Sequence, residues 1–136
     1  MRPEEIADGL WRWTTHHPSW HPKGDFGREV ACFAVRRDDS IVLVDPLVGP
    51  GEEGALDALL DGGPATVVIT IPYHARSAAE LVARHGGEVC GHPAVARRLP
   101  SGTPFRAIAP GDALPHGITA HAIGSPRRQE QPLALP

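Results

Sequence analysis

Short apolar runs alternate along the chain with Pro- and Gly-rich breaks, and the period of each run predicts an element. Leu10–Thr14 reads LWRWT, with Leu10, Arg12 and Thr14 on one side and Trp11 and Trp13 on the other. That period of two predicts a first strand. Thr15–Phe26 is dense in Pro, His and Gly and is expected to be a loop. Glu29–Arg36 and Ser40–Asp45 are apolar or β-branched runs parted by Arg37-Asp38-Asp39, which predicts a hairpin. Leu47–Gly51 is a Gly/Pro turn. Glu52–Leu60 sets Leu56, Leu59 and Leu60 at helical spacing and is stopped by Gly62-Gly63-Pro64. Ala65–Thr70 carries no charge and predicts a buried strand. Arg76–Arg84 contains Ala79, Leu81, Val82 and Ala83 and predicts a helix closed by His85-Gly86-Gly87. Glu88–Cys90 follows as a short strand, Pro93 opens a short helix over Ala94–Leu99, and Ile118–Ile123 alternates as a last strand.

The resulting order, β-β-β-α-β-α-β-α-β, is an α/β pattern: a mixed sheet with flanking helices. One domain is expected over residues 1–124, followed by a loose, Pro-broken tail over 125–136. A length of 136 residues supports one core. Composition adds little, since 41% hydrophobic and 21% charged residues are ordinary for a globular protein. Net charge is −3 and the 13 Lys and Arg are scattered, so no basic surface argues for nucleic acid. Arg36-Arg37, Arg97-Arg98 and Arg127-Arg128 stand as isolated pairs; solvated surface is the first reading and phosphate binding the second. The opening MRPEEIADGL has no apolar signal region, and no run approaches the length of a membrane span. A cytoplasmic protein is therefore expected. Cys32 and Cys90 both lie in apolar runs and are expected as buried thiols, with a disulfide left open until geometry decides. A single Lys among many Arg, with abundant Ala, Gly and Pro, resembles the usage of a GC-rich bacterial genome.

Three stretches carry a resemblance. The hairpin ends in IVLVDP (residues 41–46). After a helix comes VVIT (residues 67–70). A further helix leads to GHPAVARRL (residues 91–99). Together they are similar to the metallo-β-lactamase fold superfamily over about residues 8–124. The opening GLWRWTTHHPSWHP resembles a bacterial subgroup with a Trp-rich first strand. The resemblance implies a metallo-β-lactamase-type αββα sandwich. It also implies an incomplete one, because the family's usual chain is longer and its remaining Asp and His ligands would follow Leu135. In the family a Thr-ended strand leads into His-x-His-x-Asp-His, which holds one or two zinc ions. Here those positions read Ile71, Tyr73, Ala75 and Arg76. Ile71 and Ala75 offer no donor, Arg76 is a fixed cation, and Tyr73 is a poor zinc ligand near neutral pH. No zinc site and no other cofactor are expected.

Seven residues are the ligand-binding candidates. Asp45 ends a strand, where open α/β sheets present their crevice, and the resemblance makes it an organiser of the metal loop. Tyr73, His74 and Arg76 follow the next strand, and with Ser77 they could form a polar cluster there. His17, Trp20 and His21 lie in the loop after the first strand, which the resemblance places over the same strand ends. His16 completes that His cluster, but a Pro-broken loop fixes no metal geometry. Gly49-Pro50-Gly51-Glu52-Glu53-Gly54 formally fits a dinucleotide fingerprint. Pro50 has no N–H to give a phosphate, and two Glu at a helix start repel one.

These residues point to a catalytically silent or fragmentary hydrolase-like domain that binds a small molecule or a protein partner. The alternatives are an active hydrolase of a small ester, amide or phosphoester with a non-standard site, and a small nucleotide-binding α/β domain. An incomplete sandwich should also bare the sheet face carrying Val42, Val44, Val68 and Thr70, or its alternate, and such a face would favour a homo-oligomer.

Overall fold

Period-two alternation builds a seven-stranded sheet whose strand order follows the sequence. The computed structural model describes residues 1–136. Its strands are β1 (Glu4–Ala7), β2 (Leu10–His16), β3 (Glu29–Arg37), β4 (Ser40–Val44), β5 (Ala65–Ile69), β6 (Gly87–Gly91) and β7 (Phe105–Ala107). The first four pair antiparallel, and β4 to β7 pair parallel. Helices α1 (Asp57–Leu60) and α2 (Ala78–His85) join the parallel strands. Short 3-10 turns form at Pro72–His74 and Pro93–Arg98.

The pleat sorts the sheet's side chains onto two faces. On one, Trp13, Cys32, Leu43, Val67, Ile69 and Val89 pack with Leu56, Leu59 and Leu60 around α1 and with Ala78, Leu81 and Val82 of α2. On the other, Val35, Val42, Val68 and Cys90 pack against Ile108, Leu114, Ile118 and Ala120. This second cover includes a two-stranded sheet, β8 (Thr119–Ala120) with β9 (Leu133–Ala134). The layers therefore run helices, mixed sheet, small sheet, an α/β arrangement.

Several elements differ from the sequence reading. The Glu52–Leu60 helix shrinks to its last turn, because Glu52, Ala55 and Asp57 donate to carbonyls three residues back. The Arg76–Arg84 helix starts later, at Ala78, because Arg76 adopts a left-handed φ of 41°. Strand β1 escaped notice because its residues EEIA are all exposed and carry no alternation signal. The expected Ile118–Ile123 strand is only two residues long.

The tail expected to be loose is docked. Gln131 is 2% exposed, its N–H donates to the Thr70 carbonyl at 2.7 Å, and its Nε2 donates to the Ile108 carbonyl at 3.0 Å. The sheet face expected to be bare is covered by Ile108, Leu114, Ile118 and Ala120, with Leu133 of the tail alongside, leaving Val42 and Val68 about 1% exposed or less. Exposed large apolar side chains are Ile6, Phe26, Tyr73, Ile123 and Leu135, each from a different segment. No helix is long and apolar enough to cross a membrane. Cys32 and Cys90 are buried free thiols on opposite faces of the sheet.

Candidate functional site

Parallel pairing of β4 with β5 brings their C-terminal ends side by side, and the candidate site grows from those two ends. Asp45 leaves β4 with a left-handed φ of 47°, a conformation that Asp tolerates better than most residues. Its carboxylate then faces the end of β5. Oδ1 accepts the Thr70 N–H at 2.8 Å, and Oδ2 accepts the Thr70 hydroxyl. Oδ2 also lies 3.0 Å from Nδ1 of His74. A carboxylate has only acceptors, so a neutral His74 carries its proton on Nδ1 and presents a lone pair at Nε2. Asp45 thus pins the loop that follows β5.

Pro72 opens the 3-10 turn of this loop, as its fixed φ and missing N–H suit. The turn points Tyr73 outward, 58% exposed, with its ring edge-on to His74. Arg76 turns the other way. Its Nη1 donates to the Asp45 carbonyl at 2.7 Å and approaches the Ala31 carbonyl at 3.5 Å, while its Nε is buried without a partner. Ser77 ties the loop to the β4 end, since its N–H donates to the Pro46 carbonyl and its Oγ accepts the Val48 N–H at 2.9 Å. That hydroxyl is engaged by the Val48 backbone on both sides. The Cys32 thiol accepts the Leu47 N–H at 3.2 Å from beneath.

Between this loop, the loop after β2 and α2 lies a cavity of about 690 Å³ lined by His17, Val48, Tyr73, Arg76, Glu53 and Glu80, among others. From the loop after β2, His17, Pro18 and Ser19 reach it, and His17 is the one His of that loop to do so. Burial lowers the His17 pKa, and the positive charges of Arg76 and His74 lower it further. Trp20 and His21 stay within their own loop. The Trp20 indole donates to the Phe26 carbonyl at 3.1 Å, and His21 is exposed with its carbonyl accepting the Gly24 N–H. His16 faces solvent beside Glu29. Of the seven candidates, Asp45, Tyr73, His74, Arg76 and His17 therefore gather, and Trp20 and His21 stand apart.

The glycine-rich turn does not offer a phosphate cradle. Glu53 Oε1 already accepts the Gly51 N–H, and Glu52 accepts the Thr15 hydroxyl. The residues in the place of the zinc motif do not fit a zinc ion either. Ile71 and Ala75 carry no donor atom, the cationic Arg76 fills the inner position, and nowhere do three or more His, Cys, Asp or Glu side chains converge.

Sequence reasoning missed Thr70 as the partner of Asp45 and gave no role to Cys32. It also left Arg98, Arg127 and Arg128 as surface pairs, although they line one cavity of about 490 Å³ against the far side of Tyr73. Only the paired-arginine pattern hinted at this, because the contact spans distant segments.

No family model and no curated protein matches the chain in sequence. Solved structures do match in shape. A Cronobacter sakazakii metallo-β-lactamase with an HARLDQ motif superposes with a TM-score of 0.68 at 14% identity, covering 98% of this chain and 59% of its own. The metallo-β-lactamase DIM-1 exposed to ceftazidime gives 0.72 at 13% identity, covering 99% and 65%. BJP-1, a subclass B3 metallo-β-lactamase of Bradyrhizobium japonicum, gives 0.68 at 14% identity, covering 98% and 56%. The chain has the metallo-β-lactamase fold and spans between about half and two thirds of the length of these structures.

Proposed function

We propose that this chain is a ligand-binding domain on a metallo-β-lactamase fold, with its metal loop converted to a metal-free cradle for a small polar molecule bearing an anionic group. The observation that carries this reading is Arg76. Its guanidinium is half-buried, with no carboxylate in ion-pair contact and one buried N–H unpaired. A partly buried cation without a counter-charge is costly, and an anion from solution would supply one. Tyr73 and His17 bring further polar groups to the same cavity, and Glu53 and Glu80 on its wall suit donor groups of a ligand. The cavity volume falls in the range of about 300–1,000 Å³ that small-molecule sites occupy.

Silence towards hydrolysis fits the way the polar groups are spent. Both oxygens of Asp45 and the Ser77 hydroxyl hold the loop together.

Ligand-observed NMR of the full chain with acetate, succinate and benzoate tests the reading. Binding should weaken roughly tenfold or more in Arg76→Met and in Tyr73→Ala, as expected for loss of a charge-assisted contact. Anions that bind both variants as tightly as the parent would sink it.

A second reading keeps an activity, and the Asp45–His74 contact at 3.0 Å favours it. His74 side-chain exposure is 30%, so Nε2 could take a proton from water attacking a small ester, amide or phosphoester. Hydrolysis of p-nitrophenyl acetate that falls to background in His74→Ala would support this reading over the first.

A further inference from the structure

Arginine pairs that look unremarkable in the sequence converge in space. Arg98 ends the 3-10 turn Pro93–Arg98, and Arg127 and Arg128 lie in the loop before β9. Together with Tyr73, Gln129 and Glu130 they line the 490 Å³ cavity on the outer side of the rewritten loop. We propose that this cavity is a second site, one that binds the phosphate group of a phosphorylated small molecule.

Charge carries the argument. Three guanidinium groups face one carboxylate, which leaves two positive charges over. Glu130 is committed to Arg127 at 3.0 Å. Neither Arg98 nor Arg128 has a carboxylate in ion-pair contact. Two guanidinium forks without carboxylate partners, brought into one concave site from segments distant in sequence, match a doubly charged phosphate monoester, whose oxygens accept bidentate contacts. Gln129 and Tyr73 add polar side chains from the same lining.

Location and shape agree with that ligand. Ile71 and Pro72, also in the lining, follow directly from the C-terminal end of β5, where parallel sheets collect ligands. The exposed Tyr73 ring forms a wall against which the organic part of a phosphate ester can pack. A polymeric nucleic acid is disfavoured, because the chain's net charge is −3 and this basic cluster is bounded by one cavity. The site does not depend on the ligand reading of the Arg76 cavity, which shares only Tyr73 with it.

The test is titration of the full chain with inorganic phosphate and with phenyl phosphate at low salt, followed by amide NMR shifts. Saturable shifts at Arg98, Arg128 and Gln129 are expected, with a dissociation constant on the order of millimolar or tighter. Arg98→Ala and Arg128→Ala should each weaken binding roughly fivefold or more. Arg97→Ala removes the same charge one residue away, outside the lining, and should change little. Arg76→Met should leave phosphate binding intact even if it abolishes binding in the other cavity. Both substituted arginines are exposed, so unfolding midpoints should stay at the parent value. Non-saturable shifts up to about 20 mM phosphate, or an Arg97→Ala loss equal to that of Arg98→Ala, would overturn the proposal.

Discussion

Replacing Asp45 with Ala should release the loop after β5 and cost a large part of the domain's stability. Three interactions converge on this carboxylate: the Thr70 N–H, the Thr70 hydroxyl and His74. Hydrogen bonds to an ionised acceptor contribute about 1.5–3 kcal/mol each. The side chain is 13% exposed, so water can replace only part of what is lost. Alanine also sits poorly at φ 47°, at a cost of about 1 kcal/mol. Allowing for overlap among the three contacts, Asp45→Ala should lower stability by about 3–5 kcal/mol. Asn tolerates the left-handed backbone and keeps one acceptor for the Thr70 N–H, so Asp45→Asn should cost about 1–2 kcal/mol. Thr70→Val replaces the hydroxyl by a methyl and should cost about 1.5–3 kcal/mol. The Asp45→Ala/Thr70→Val double variant should lose less than the sum of the two, because the hydroxyl contact is counted in both. Urea unfolding followed by tryptophan fluorescence measures all four. An Asp45→Ala loss below about 0.5 kcal/mol, the size of an ordinary surface change, would refute the view that Asp45 organises the site.

Burial pushes the Cys90 thiol up to about 11, and burial likewise raises Cys32, so neither should react with a thiol reagent near neutral pH until the protein is unfolded; fast labelling of the native protein would contradict the packing. Gln131→Ala removes a buried amide bonded to the Ile108 carbonyl and should cost about 1–3 kcal/mol, read by urea unfolding, whereas a neutral result would mean the C-terminal segment is not held as described. His17 has a folded pKa below its unfolded value of 6.5, so on acidification the unfolded state takes up the proton first. Stability should therefore fall as pH drops below that value and level off beneath the folded pKa, and His17→Asn should flatten this part of the profile of unfolding midpoint against pH.

Strands β2 to β4 were legible from apolar and alternating runs, and β5 and β6 from short runs bounded by Gly and Pro; in β2 one residue of slip would turn Trp13 outward and Arg12 inward. The end of the chain was not legible, since β8 and β9 are two residues each and depend on pairing across an irregular, Pro-broken stretch. Gln131 reads as a tail residue, and only its distant partners Thr70 and Ile108 explain its burial. Strand β1 left one usable sign, Asp8-Gly9, the two-residue turn that joins it to β2 with Gly9 at φ 68°. At the site, Asp45, Tyr73, His74 and Arg76 followed from strand ends that parallel pairing brings together. His17 reached the cavity while Trp20 and His21 did not, a distinction set by turns such as the Gly24 N–H to His21 carbonyl bond. Arginines 98, 127 and 128 carried no periodic signal, because their meeting depends on how two loops fold over the sheet end.

Whether the rewritten loop binds zinc tests the account most directly. The full chain, produced in zinc-supplemented medium and dialysed against metal-free buffer, is analysed for metal content, and its unfolding midpoint is measured with zinc and with chelator. Ile71, Tyr73, Ala75 and Arg76 supply no tetrahedral donor set, so zinc should be far below one ion per chain and the midpoint should respond to neither addition. One zinc retained per chain, raising the midpoint and lost in His74→Ala, would contradict the metal-free reading and return the domain to the metal-dependent hydrolases.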